Sequence, residues 1–274
     1  MYEKKGLGMA EAIGNDSWNA GDPYDRFIGR WSRRVAPLFL SWLAIPTGRR
    51  WLDVGCGTGA LCAEILRHSP PAALTGVDPS AGFLSVARQR LPTSIRLLVG
   101  DAGSIPLQDG EVDVVASGLV LNFIAHLPQG LAEMVRVTVP GGIVAGYVWD
   151  YAEGMEMLRR FWDVASTLDP DAVELHEGRR FTLCRPPSLA SAFKQASLTN
   201  VEIAPLEIEM EFSGLDDLWQ PFLGAQGPAP AYVASLPQDR RLRLREALRR
   251  SLLGADNGPL TLRARAWAVR GNSP

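Results

Sequence analysis

The sequence predicts an α/β protein built on a parallel, doubly wound sheet. Two observations carry this. Short apolar runs alternate with helix-like segments from Arg49 to Asp150, and the first run leads straight into a glycine-rich turn, "DVGCGTG", at residues 53–59.

Residues 1–20 read as a loose polar arm. In "YDRFIGRWSRRVAPLFLSWL", the apolar residues Tyr24, Phe27, Ile28, Trp31, Val35, Leu38, Phe39 and Trp42 recur at i, i+3, i+4, i+7 spacing. That is one face of an amphipathic helix. Pro37 is expected to divide it into two helices, because proline lacks the N–H that an unbroken helix needs. "WLDVG" is then the first strand, and the glycine turn opens the helix "GALCAEILRHS". "ALTGVD", "IRLLVGD", "EVDVVASG" and "GGIVAGYVWD" are strands two to five, with "PSAGFLSVARQR" and "PQGLAEMVRVT" as helices among them. Beyond Asp150 the regularity changes. Residues 151–185 read as an added helix and loop, "PPSLASAFKQASL" as a helix and "VEIAPLEIEMEF" as a strand. Residues 213–258 are rich in Pro, Gly and Trp and end in the helix "DRRLRLREALRR", before a last strand, "LTLRARAWAVRG". The domain boundaries expected are an arm at 1–20, a helical segment at 21–46, a ligand-binding core at 47–150, and added segments with the remaining strands of the same domain at 151–274. Ligands of open α/β sheets bind at the carboxyl ends of the strands, so the site is sought there.

Composition narrows the class. A length of 274 residues at 46% hydrophobic content supports a sizeable core. A net charge of −2 argues against binding nucleic acid through bulk charge. Cys56, Cys62 and Cys184 form no even-numbered framework and no C-x-x-C, which points to a reducing, cytoplasmic setting. No signal-peptide core and no membrane-spanning run are read in the sequence. His68 and His176 lack ligand-spaced partners, so no metal site is expected.

The glycine turn alone leaves two ligands open. Gly55, Gly57 and Ala60 nearly fit the dinucleotide fingerprint G-x-G-x-x-G/A. Gly55, Gly57 and Gly59 fit equally the G-x-G-x-G turn that holds S-adenosylmethionine. The acids weigh in. Asp53 stands two residues before Gly55, where a carboxylate repels a pyrophosphate and attracts an ammonium or sulfonium. Asp78 ends the second strand and suits two ribose hydroxyls of either ligand. Asp101 ends the third and, with Ala102 behind it, suits an adenine edge.

Three acids at three successive strand ends, with "LDVGCGTG", "VDPS", "GDAGSIPLQDGEVDVVAS" and "EMVRVTVPGG" in this order, resemble the class I S-adenosylmethionine-dependent methyltransferases. The resemblance is to their type 11, ubiquinone/menaquinone-methyltransferase-like branch and covers about residues 24–150. It implies a Rossmann-like sheet of about seven strands, mostly parallel with an antiparallel last strand, plus an N-terminal helical lid and helical cap insertions. It further implies that Asp53 and the backbone of Gly55, Gly57 and Gly59 cradle the methionine part. Asp78 would bind the ribose, Pro79 would pack near the adenine, and Asp101 and Ala102 would hold the adenine edge. Leu119 and Asn122 would face the sulfur side, and Tyr24, Arg30 or Trp31 would close over the cofactor.

The expected activity is transfer of a methyl group from S-adenosylmethionine to a small-molecule acceptor by in-line displacement, with release of S-adenosylhomocysteine. The alternatives are a nicotinamide-dependent oxidoreductase, which Asp53 and Asp101 disfavour, and a non-catalytic cofactor-binding scaffold. The cofactor's methyl is expected to point toward the segments after strands four and five. His126 is the candidate general base there, though a surface or capping role suits it as well. Trp149 and Tyr151, with Trp219 or Phe222 from the later insertion, are the candidate acceptor pocket. Asp113 is read as a strand-start residue, and the arginines of the late helix as a solvated face.

Overall fold

The computed structural model describes residues 29–224, 227–253 and 258–274. Tyr24, the arm and the first part of the expected lid lie outside the described residues. The chain divides into two compact units, each taken by itself. One holds Trp31–Trp149, Leu183–Glu207 and Arg265–Pro274; the other holds Arg30, Asp150–Thr182 and Ile208–Ala264.

The chain forms one seven-stranded sheet from β1 (Arg50–Val54), β2 (Ala73–Asp78), β3 (Arg96–Val99), β4 (Val112–Gly118), β5 (Thr138–Trp149), β6 (Thr199–Phe212) and β7 (Leu260–Asn272). Their order is β3-β2-β1-β4-β5-β7-β6. The β1–β2, β2–β3, β1–β4 and β4–β5 pairs are parallel, and β7 runs antiparallel to β5 from Ile143↔Asn272 to Trp149↔Ala266. The sheet grows outward from β1 through β2 to β3, then restarts on the other side of β1 with β4. That reversal puts a crevice between the carboxyl ends of β1 and β4. The Ser117 hydroxyl donates to the Val54 carbonyl at 3.0 Å and ties the two strands together at this point.

Helices α1 (Arg30–Leu43), α2 (Ala60–His68), α3 (Ala81–Arg90) and α4 (Leu127–Val137) follow the apolar pattern. α2 turns Leu61, Cys62 and Ile65 inward, and α3 starts on Ser80, whose hydroxyl accepts the Phe83 N–H at 3.2 Å. α1 corrects the expectation at Pro37: the helix is unbroken and contains it. An interior proline costs about 3 kcal/mol. Trp31, Val35, Ala36, Phe39, Leu40 and Leu43 are all buried along this helix, and each large apolar side chain contributes roughly 1.5–3 kcal/mol. Burial on both sides of Pro37 outweighs the lost bond. Leu38, read as part of that face, is 39% exposed. β5 begins at Thr138 rather than Gly141: its register with β4 shifts between Val112↔Thr138 and Val114↔Ile143. Pro140 and the left-handed Gly141 lie inside that irregularity, which is where a strand tolerates such residues.

The second unit takes α5 (Glu156–Leu168), α6 (Glu177–Arg180), α8 (Leu215–Trp219), α9 (Pro228–Ser235) and α10 (Gln238–Leu253); α7 (Pro186–Gln195) belongs to the first. An aromatic cluster organises it. Phe161 stacks on Phe222 at 4.5 Å and meets Trp162 edge-on at 5.0 Å, and Trp162 lies 5.6 Å from Tyr232. The Trp162 indole donates to the buried Glu177, and the Tyr232 hydroxyl donates to Asp169 at 3.2 Å. α10 buries Leu244 and Leu248. Arg240, Arg243 and Arg250 on it are exposed, as a solvated basic face requires.

Asp113 is structural. It accepts the Arg50 backbone N–H at 2.8 Å and the guanidinium at 3.2 and 2.7 Å, locking the start of β1 to β4. These bonds to Arg50 hold its carboxyl below the usual range. The group therefore stabilises the fold above the ordinary aspartate pKa, and the effect is lost as pH falls through the depressed value. Asp113→Ala is expected to cost about 1–2 kcal/mol in urea titrations near neutral pH. The gap to the unsubstituted protein should narrow below about pH 4. A gap that stays constant into acid would contradict the clamp.

Candidate cofactor site

The carboxyl ends of β1 and β2 converge on the glycine turn. The Gly55 and Cys56 N–H groups donate to the Val77 carbonyl at 2.8 and 3.1 Å, and the Gly59 N–H closes the turn on the Cys56 carbonyl at 2.9 Å. Gly55, at φ +74°, packs its α-carbon against Val120: an added Cβ would sit 2.6 Å from both Val120 methyls. Gly57, at φ +52°, has nothing within 4 Å of the same position. Of these two, only Gly57 opens onto space, so it forms the floor of a cradle that any side chain would fill.

Asp78 sits beside that floor. One carboxylate oxygen accepts the Gly57 N–H at 2.9 Å and the other the Ser80 N–H at 2.8 Å. A carboxylate has about four acceptor sites. Two therefore remain for a pair of vicinal hydroxyls. Burial pushes this carboxyl up, and the two N–H bonds oppose the shift.

Asp53 lies beneath the turn at 1% exposure. Its Oδ2 accepts the Cys62 thiol at 3.2 Å, while its Oδ1 is buried with no partner. Burial raises its pKa to about 7; the Cys62 bond lowers it and the neighbouring Asp78 raises it. A buried carboxyl with an orphan oxygen has no compensating charge among the described residues. It fits a ligand that brings positive charge to the turn and opposes one that brings phosphates.

Asp101 and Ala102 follow β3. The Asp101 side chain is exposed, with Oδ1 accepting the Gly103 N–H at 2.8 Å, and Ala102 is buried behind it. This segment is held by a network the sequence reading missed. Glu133 accepts the Ile105 N–H at 2.9 Å, and Arg136 donates to the Ile105 and Leu107 carbonyls at 3.0 and 2.9 Å and to Asp109 at 2.7 Å. The bond from Arg136 holds the Glu133 carboxyl low. Pro79 follows Asp78 in the same loop and is exposed.

At the end of β4, Leu119 takes a left-handed φ of +63°, which costs a non-glycine residue of order 1–3 kcal/mol. Its N–H donates to the Tyr147 carbonyl at 2.8 Å. The Asn122 amide nitrogen and the Trp149 indole nitrogen, past or at the ends of β4 and β5, are buried donors without a partner. His126 is exposed at the start of α4 and its side chain makes no capping bond.

The remaining candidates are described within their own units. Trp31 is buried in α1. In the second unit, Arg30 pairs with Asp217 at 2.9 Å and lies over the Phe212 ring, Tyr151 packs on Phe181 at 5.2 Å, and Trp219 and Phe222 are buried with the aromatic cluster. Cys62 also went unread as a site residue. Its sequence signal is real but faint: a small residue nine positions after Asp53, on the inward stripe of α2.

A glycine turn with acids at the ends of β1, β2 and after β3, at a doubly wound switch point, is the arrangement of a nucleotide-type cofactor site in an α/β protein. Residues 52–146 match the family model described as "Methyltransferase domain" (Methyltransf_11). The chain is 30% identical over 227 residues to the biotin biosynthesis bifunctional protein BioHC of Cellvibrio japonicus, covering 81% of this chain and 42% of that protein. It is 32% identical over 179 residues to the malonyl-[acyl-carrier protein] O-methyltransferase of Serratia marcescens, covering 61% of this chain and 69% of that protein. The chain thus spans less than half the length of the first relative and somewhat over two thirds of the second. The fold is shared with phosphoethanolamine N-methyltransferase 2 of Haemonchus contortus, solved in complex with S-adenosyl-L-methionine. The TM-score is 0.56 at 18% identity, over 92% of this chain and 56% of that one. The chain belongs to the S-adenosylmethionine-dependent methyltransferases, whose cofactor the site fits.

Gly57→Ala should lower the thermal unfolding midpoint only modestly, by the left-handed strain of about 1–2 kcal/mol, and weaken S-adenosylhomocysteine binding at least about tenfold, since it fills the cradle. Gly55→Ala should lower the midpoint further, because it adds a clash with the stiff Val120 to the same strain. Asp78→Ala should weaken binding by about 1.5–3 kcal/mol for each ribose bond lost. Calorimetry and melting curves read all three. Equal affinity of Gly57→Ala and the unsubstituted protein would remove the cradle.

Proposed function

We propose that the chain transfers the methyl group of S-adenosylmethionine to a small-molecule acceptor by in-line displacement and releases S-adenosylhomocysteine. The observation that carries this is the buried Asp53 carboxyl with its orphan Oδ1 beneath a turn open only at Gly57. It supports a cation-bearing adenosyl ligand over a pyrophosphate-bearing nicotinamide.

S-adenosylmethionine supplies a methyl group already activated by its sulfonium. The chain's own residues then bind and align. Asp53 and the glycine turn hold the methionine part, Asp78 the ribose, and Asp101 and Ala102 the adenine edge. Leu119 fixes the backbone as it leaves β4, and Asn122 and Trp149 offer two N–H donors for the acceptor side. Alignment and exclusion of water supply most of the rate in such a displacement. His126 is the proposed base for an acceptor that must lose a proton. The name of the Serratia relative makes a malonyl carboxyl oxygen the first acceptor to test. The three cysteines are free thiols, which supports a reducing, cytoplasmic setting. No helix among the described residues is long and apolar enough to cross a membrane.

Two measurements test this reading. Calorimetry should show binding of S-adenosylmethionine and S-adenosylhomocysteine and none of NAD or NADP. Mass spectrometry after incubation with cofactor and a metabolite extract, supplemented with malonyl thioesters, should show a methylated product. Tight NAD binding without a response to the sulfur ligands would overturn it. With an acceptor that must lose a proton, His126→Asn should lower turnover near neutral pH without changing cofactor affinity, and the loss should shrink as pH rises; a carboxylate acceptor needs no base and should show no such loss. Unchanged turnover of an acceptor that must lose a proton would remove His126 as base.

A further inference from the structure

A buried acid normally finds a cation or a set of N–H donors. Asp53 meets no cation among the described residues. What donates to it comes from Cys62 in the first turn of α2: the thiol, a weak donor, at 3.2 Å, and the backbone N–H. Oδ1 is buried with no partner among the described residues. The thiol is itself unusual. Cys62 is fully buried, and its bond with Cys56, together with burial, pushes it well above the ordinary thiol range. It therefore stays a neutral donor and cannot compete with Asp53 for negative charge. The titratable groups that act on Asp53 among the described residues are Cys62 from α2 and Asp78 at the end of β2, with Cys56 of the glycine turn acting through Cys62. All are acids, and none supplies positive charge.

We propose that Cys62 is a positioning residue of the cofactor site: its thiol fixes Asp53 Oδ2, and the Asp53 carboxyl, neutral in the empty site, gives up its proton when the cationic cofactor occupies the turn above it. The inference rests on the methyltransferase reading and goes beyond it. The step balances simply. The carboxyl O–H bond breaks, the electron pair stays on oxygen, the proton passes to the buffer, and the cofactor's positive charge replaces it. The geometry agrees with the acid's own titration, since burial raises the free carboxyl to about 7. The neutral form avoids an uncompensated buried charge, and the ionised form awaits a cation. Below that value the cofactor must displace a proton and binds more weakly; above it the site is already charged and affinity levels off.

The test is calorimetric titration of the full chain with S-adenosylmethionine in phosphate and in imidazole, both of which buffer from about pH 6 to about pH 8; the difference between buffers counts the protons exchanged. The unsubstituted chain should release about one proton at the acid end and almost none at the alkaline end, with affinity falling up to about tenfold per pH unit below neutrality. Asp53→Asn should bind without that release, which also subtracts the ionisation of the ligand itself. Cys62→Ala removes a bond that lowers the Asp53 pKa, so its release window should move to higher pH; Cys62→Ser keeps a donor and should restore the original window. S-adenosylmethionine binding with the same proton count in the unsubstituted chain and Asp53→Asn would overturn the proposal while leaving the methyltransferase reading standing. A Cys62→Ala window identical to the original would remove Cys62 from it. Absence of S-adenosylmethionine binding at every pH would overturn both.

Discussion

Asp53 stands at the carboxyl end of β1, with one oxygen held by the Cys62 thiol and the other without a partner, and the rest of the site is arranged around that charge problem. A carboxyl there is costly to ionise in the empty protein. The turn above it is tied to β2 through Val77, and Asp78 at the end of β2 holds the turn from the other side through the Gly57 N–H. Two acids thus flank one open glycine. Carboxyls at both positions disfavour a phosphate there and favour a ligand that brings positive charge or hydroxyl donors.

The sheet makes this arrangement possible. Strand order reverses at β1 and β4, which opens a crevice between their carboxyl ends, and the Ser117–Val54 bond ties the two strands together there. Farther down, the Arg50–Asp113 clamp fixes the start of β1, and Arg136 with Glu133 fixes the loop that carries Asp101. These ion pairs set where the three acids stand relative to one another, and a site that recognises a nucleoside by hydrogen bonds depends on that spacing.

Much of this was legible in the sequence because it follows local rules. Alternating apolar runs gave the strands, the G-x-G-x-G spacing marked the turn, and an acid at a strand end is visible in a single line of letters. What stayed hidden depends on tertiary balance. Pro37 reads as a helix break, yet burial on both sides of it keeps α1 whole. Thr138 reads as helix, yet a bulge at Pro140 and Gly141 lets β5 start there. Cys62 reads as an ordinary apolar-stripe residue, and only the fold shows that its thiol reaches Asp53. The stacking of Phe222 on Phe161 is a tertiary contact between distant segments, which pattern alone cannot reveal.

A crystal structure of the chain with S-adenosylhomocysteine tests the central claim most directly. The account predicts both ribose hydroxyls within about 2.6–3.2 Å of the Asp78 carboxylate, and the ligand's methionine part over Gly57 with its ammonium on the Asp53 side of the turn. A ligand seated away from Gly57, or one whose ribose leaves Asp78 bonded only to the Gly57 and Ser80 N–H groups, would contradict it.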